Sequence, residues 1–110
     1  MIPEWRHEWN DNVHLNEEGK KILSKEDKLF VWGNKESKKA SWKKMKENDL
    51  ILFYKKGAFV YAGQLLFKQE SKDLGLALWP PKKNEEPWTC IFFLKNLQPN
   101  LHLLKMLKVS

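Results

Sequence analysis

Six tryptophans stand in this 110-residue chain, beside only two tyrosines. Tryptophan brings a broad apolar face, a ring quadrupole and one N–H donor, so its site chemistry is stacking on flat groups, methyl groups or cations. Core filling is the default for any single Trp. The neighbours of three of them argue for more. Trp32 precedes Gly33-Asn34, Trp79 precedes Pro80-Pro81, and Trp88 follows the polar run from Lys82 to Pro87. Sites are usually assembled at the ends of rigid elements. These three rings are therefore candidate walls of one aromatic recess, with Tyr54 and Tyr61 as further wall candidates. The Asn34 amide offers both a donor and an acceptor to a base edge. As a turn residue after Gly33 it needs no ligand at all.

Charge is the second signal. The net charge is +6, and it is unevenly spread. Residues 1–19 carry one Arg and five acidic residues, whereas residues 20–46 carry ten Lys against three acidic ones. Lys35, Lys38, Lys39, Lys43 and Lys46 cluster in that basic block, and Lys39, Lys43 and Lys46 recur at helical spacing. They are candidate phosphate contacts, and equally a solvated helix face.

Catalytic patterns are missing. His7, His14 and His102 fall in no ligand spacing with each other or with Cys90, the single cysteine. There is no glycine-rich phosphate loop and no nucleophile elbow. Acidic residues such as Glu47 and Asp49 sit in turns among lysines, where a surface or capping role is expected. Cys90 lies in the apolar run from Thr89 to Leu94, which reads as core. The expectation is a non-enzymatic domain with no cofactor and no metal. No apolar run approaches the roughly 20 residues that span a bilayer, and the polar N-terminus has no signal-peptide pattern. A soluble cytoplasmic protein with no membrane partner is expected.

The elements that must position these residues alternate between strand and helix. Leu29–Trp32, Leu50–Tyr54, Phe59–Phe67 and Trp88–Leu94 read as strands. Leu50–Tyr54 is almost wholly apolar, which predicts cover on both faces. Lys55–Ala58 reads as a hairpin turn. Gly63 predicts a bulge or a close approach by another backbone or a ligand. Ser41 is a predicted N-cap for a helix over Ala40–Met45, and Ser71 for one reaching Leu78. Residues 1–27 read as an irregular or partly helical N-terminal extension, with a capped turn near Asn16. Leu101–Leu107 has too weak an alternation to type. One α+β domain over residues 1–110 is expected, a small curved, mostly antiparallel barrel with short flanking helices. The apolar stretch just before Ser110 suggests a domain taken from a longer chain.

The order Phe30-Val31-Trp32-Gly33-Asn34, Ser41-Trp42-Lys43-Lys44-Met45-Lys46, Asn48-Asp49-Leu50-Ile51-Leu52-Phe53-Tyr54, Phe59-Val60-Tyr61-Ala62-Gly63, Leu78-Trp79 and Trp88 with Ile91-Phe92-Phe93-Leu94 resembles the PUA-like superfamily. The likeness is to its EVE and YTH branches and to the N-terminal specificity modules of McrBC-type modification-dependent restriction systems. It covers roughly the central two thirds of the chain. The resemblance implies a curved barrel whose aromatic pocket takes a flipped or single-stranded base, often a methylated one. Trp32 matches the first cage Trp by position and Trp79 more loosely the second. Chemistry would belong to other parts of such a system, a nuclease or an AAA+ motor. DNA is the expected partner and RNA the alternative. The reading from another class is a small-ligand or protein-interaction module with structural tryptophans.

Overall fold

Strands form where β-branched and aromatic residues run together, and helices where a polar side chain can close the first turn. The computed structural model describes residues 2–55 and 58–99. Its strands are β1 (Glu4–Trp5), β2 (Leu29–Lys35), β3 (Leu50–Lys55), β4 (Ala58–Glu70) and β5 (Trp88–Pro99), and its helices are α1 (Glu17–Ser24), α2 (Lys39–Lys44) and α3 (Lys72–Leu78). Short 3-10 turns cover His7–Asp11 and Glu36–Lys38. The strands make one antiparallel sheet in the order β1-β2-β5-β4-β3.

The four expected strands share this sheet. It is an open one: β1 and β3 stand at opposite edges, so the described strands do not close into the expected barrel. Side chains of β2 and β5 alternate between two apolar clusters. Leu29, Val31, Ile91 and Phe93 face one, with Leu23 and Leu74 from the helices. Phe30, Trp32, Cys90, Phe92 and Leu94 face the other, with Trp42. Cover on both faces explains the unbroken apolar run of β5.

β3 is different. Ile51 and Phe53 pack inward, but Leu50, Leu52 and Tyr54 are 64%, 40% and 63% exposed. Among the described residues only one face of this edge strand is covered, by the second cluster, so the expected two-sided cover is not found there.

The N-terminal segment contributes to the core. β1 pairs with β2, and Trp5, Leu15 and Leu23 are buried in the first cluster. No single short run there is apolar enough to reveal this in advance.

Caps follow the expectation at two of three helices. Asn16 Oδ1 accepts from the Gly19 N–H at 2.7 Å, and Ser71 Oγ accepts from the Leu74 N–H at 3.1 Å. α2 has no side-chain cap, and Ser41 lies inside it. A 3-10 turn leads straight into α2, and Lys68 closes its other end by donating to the Trp42 and Lys43 carbonyls at 2.9 Å each. Lys46 lies beyond α2, so it does not share a helix face with Lys39 and Lys43.

At Gly63 the β4–β5 register shifts, which is the expected bulge; the atoms a Cβ there would meet are side-chain ones, Leu97 Cδ1 at 3.1 Å and Leu94 Cβ at 3.3 Å. The Lys56-Gly57 turn and the Leu101–Leu107 stretch, like His102, lie outside the described residues. Among the described residues, no helix is long and apolar enough to cross a membrane.

Candidate aromatic site

Among the described residues β2 meets β1 only at Leu29 and Phe30, so from Trp32 onward it has β5 on one side and no described strand on the other. Trp32 lies inside β2 rather than at its end, since the strand continues to Lys35. Gly33 follows, and the Trp79 ring lies against it. A Cβ at Gly33 would meet Trp79 Cζ3 at 3.1 Å. Trp79 is delivered by the C-terminus of α3, and Pro80-Pro81 prevent the helix from continuing. Trp88 is the first residue of β5.

These three tryptophans come together. Ring centroids are 5.9 Å apart for Trp32–Trp79, 6.0 Å for Trp32–Trp88 and 6.4 Å for Trp79–Trp88, with interplanar angles of 65°, 53° and 63°. With Gly33 they line a recess of about 70 Å³. No pair is parallel, so the rings form three walls of a corner rather than two sides of a sandwich. One water needs about 10–15 Å³ by this measure. The corner is thus large enough for a methyl group or the edge of a flat ring.

The other tryptophans behave differently. Trp5 and Trp42 are buried, and their indole N–H groups are satisfied by Asn10 Oδ1 at 2.7 Å and the Ile91 carbonyl at 3.2 Å. Trp9 is half-buried but packs edge-on against Trp5 and against the first cluster. Trp32, Trp79 and Trp88 remain half-buried.

Asn34, Tyr54 and Tyr61 do not line this recess. Asn34 pairs in register with Cys90, and Tyr61 stands opposite Phe53 in the β3–β4 ladder. Tyr54 lies on the exposed face of the β3 edge. Phe53, not Tyr54, approaches Trp32, at 6.4 Å between centroids.

The lysines divide in the same way. Lys35 Nζ lies 4.9 Å from the Trp88 ring centroid and 3.9 Å from Glu85. The Ser37 N–H donates to Glu86 Oε1 at 3.0 Å, which ties this segment to the loop before Trp88. Lys38, Lys43 and Lys46 are exposed. Lys39 is not available to a phosphate. Its ammonium joins Glu70 at 2.6 Å and Glu36 at 3.3 Å. The hydrogen bond to Glu70 raises its pKa.

Glu36 also accepts from Thr89 Oγ1 at 2.9 Å, and this bond, ahead of the one from Lys39, holds its carboxyl below the usual value of 4.5. Glu36, Glu70 and Cys90 bring three potential ligand atoms within 4.8 Å. Lys39 already bridges the two carboxylates, and burial pushes the Cys90 thiol up. The group works as a clasp between the 3-10 turn and the sheet.

A depressed carboxylate pKa contributes stability above its unfolded value and loses it as pH falls through the folded value. Thr89→Val should therefore lower Tm at pH 7, and the gap to the parent should shrink as pH falls below about 4.5. A gap that stays constant from pH 7 to pH 3 would remove Glu36 from the account.

Comparison with protein-family models, with curated proteins and with solved structures finds no match.

Proposed function

We propose that this chain is a PUA-like reader domain that binds DNA and receives a methylated base in the corner formed by Trp32, Trp79 and Trp88. The convergence of three half-buried indoles from β2, α3 and β5 carries the reading. A purely structural Trp gains most by full burial, as at Trp5 and Trp42. Three rings left around an open apolar corner gain the same stabilisation when a ligand fills it. An extruded base has lost its stacking in the duplex and regains it on such faces.

The geometry bears on the choice of ligand. The recess takes a methyl group and the adjoining ring edge, while the rest of the base stacks on one wall. Lys35 already offers its ammonium to the Trp88 ring, which disfavours a cationic ligand such as a methylated lysine and favours a polyanion beside the corner. Lys38, Lys43 and Lys46 supply phosphate contacts and the salt dependence. Catalysis would belong to a partner, a nuclease or AAA+ motor in the same cytoplasmic defence system.

The test is a binding series on oligonucleotides with unmodified, methyl-cytosine or methyl-adenine sites, as DNA duplexes and as RNA, at two salt concentrations. Preference for one methylated DNA and a steep loss with salt support the proposal. Equal binding to modified and unmodified sites defeats it, and a preference for RNA moves the reading to the alternative.

The lysines give a separate expectation. Replacing Lys38, Lys43 and Lys46 by Ala should weaken all sequences alike and lower the salt slope by about one unit per lost phosphate contact. Lys39→Ala should leave the slope unchanged and lower Tm instead, because its partners are Glu36 and Glu70. A slope that responds to Lys39 but not to the other three would reverse the assignment.

A further inference from the structure

A second recess lies along β2 from the aromatic corner. Its volume is about 320 Å³, against about 70 Å³ for the corner. A β-bulge builds one side of it. Gln64 pairs with Lys95 and Ala62 with Gln98, so β5 carries one residue more than β4 between these pairs. Asn96 adopts φ 56°, a left-handed conformation that asparagine tolerates. Successive residues of a regular strand face opposite ways. Here Lys95, Asn96 and Leu97 in succession all line the recess, which is how a bulge re-aims side chains. The Asn96 amide is fixed by donating to Gln64 Oε1 at 3.1 Å.

The other side is Phe30 with the segment between α1 and β2. Phe30 is half-buried and, like Trp32, packs on the second apolar cluster. Lys28 Nζ lies 5.8 Å from its ring centroid, and Glu26 and Asp27 complete the wall. Among the described residues neither Lys28 nor Lys95 is held in an ion pair. A flat ring, two ammonium groups and two carboxylates around one cavity match the parts of a nucleotide. The ring stacks on a base and the ammonium groups meet phosphates. The carboxylates accept from an exocyclic amino group, as acidic side chains do from cytosine.

We infer that the Phe30 recess holds the nucleotide next to the one in the tryptophan corner. The inference rests on the reading of that corner as a base site. Phe30 and Trp32 are two residues apart on one strand, a spacing of about 6.7 Å. That is twice the roughly 3.4 Å rise of stacked nucleotides. The two bases are therefore drawn apart, each onto its own ring, and the substrate this fits is a single strand, whose bases splay without breaking pairs. The carboxylates make the neighbour a base with an amino group, cytosine rather than thymine.

The test uses single-stranded DNA carrying a methyl-adenine or a methyl-cytosine, with cytosine, thymine or an abasic site beside it on either side. Removing the neighbouring base on one side should weaken binding to the parent at least fivefold. Phe30→Leu should bind the cytosine and abasic strands alike and still bind the methylated mononucleotide as the parent does. Lys28→Gln and Lys95→Gln should each lower the salt slope by about 0.7. These two variants leave the apolar cluster intact, so they decide the matter if Phe30→Leu fails to fold. The inference is overturned if an abasic neighbour costs the parent nothing on either side, if Phe30→Leu keeps that cost, if thymine binds as well as cytosine, or if the salt slope ignores both lysines. The same comparison on an unmodified strand separates the two sites. A Phe30-dependent loss there, with no preference for the methylated strand, would keep the recess and remove the corner.

Discussion

Trp88→Ala should lower affinity for the methylated oligonucleotide at least tenfold while shifting Tm by less than about 5 °C. Trp88 is the cleanest of the three walls to remove. Trp32 packs with the second apolar cluster and Trp79 with the first, whereas Trp88 belongs to neither. Its contacts are the other two walls and the Lys35 ammonium. Stacking on one aromatic ring contributes about 1–3 kcal/mol per base, and about 1.4 kcal/mol is a factor of ten. Trp42→Ala provides the contrast. That ring is buried, donates to the Ile91 carbonyl and lies under Lys68. Its loss should cost about 3–5 kcal/mol of stability. Fluorescence anisotropy and thermal melting on the two variants separate a ligand-facing ring from a core ring. A Trp88→Ala variant that melts as early as Trp42→Ala would make all six tryptophans structural.

Gly75→Ala should be the most damaging glycine substitution among the described residues. α3 lies so close to β5 that a Cβ at Gly75 would overlap the Trp88 carbonyl oxygen, a backbone atom that no rotamer change can move. The helix must lift from the strand or the strand must shift. Overpacking of this kind costs about 1–3 kcal/mol and occasionally more. A backbone clash belongs at the upper end, a fall in Tm of roughly 10 °C or more. The effect reaches the site as well. Trp79 follows the end of α3 and Trp88 starts β5, so lifting α3 separates two walls of the corner. Melting and binding should fall together. Unchanged melting would mean that α3 does not rest on β5 at this point.

Much of this arrangement is legible in the residues. The strands over Leu29–Trp32, Leu50–Tyr54 and Trp88–Leu94 announce themselves by nearly unbroken apolar runs rich in aromatic and β-branched residues. Asn16 and Ser71 act as the caps their types suggest. Trp32, Trp79 and Trp88 stand out because turn residues or prolines adjoin them, and they are the three that meet.

What stays hidden depends on distant partners. β1 is two residues long and exists only because β2 offers it an edge. Lys39 looks like any lysine of a basic helix until Glu70, 31 positions away, is placed beside it. Lys68 gives no sign in sequence that it caps α2. Asn34, Tyr54 and Tyr61 have suitable chemistry for a wall, but they do not line the recess: Asn34 lies two residues beyond Trp32 along β2, Tyr61 stands on β4, two strands from β2, and Tyr54 is on the exposed face of β3. Closure of the described strands was not legible for a similar reason, since strand patterns specify elements and leave open whether two edges meet.

Indole N–H resonances provide the most direct test of the aromatic site. Each Trp contributes one signal. Trp5 and Trp42 are held by Asn10 and the Ile91 carbonyl, so they serve as internal references. Titration with a methylated oligonucleotide should move the signals of Trp32, Trp79 and Trp88 and leave those of Trp5 and Trp42 in place, while the unmodified oligonucleotide moves the three much less. If the cage signals stay still under the methylated strand, or respond equally to both strands, the corner is not a methylated-base site.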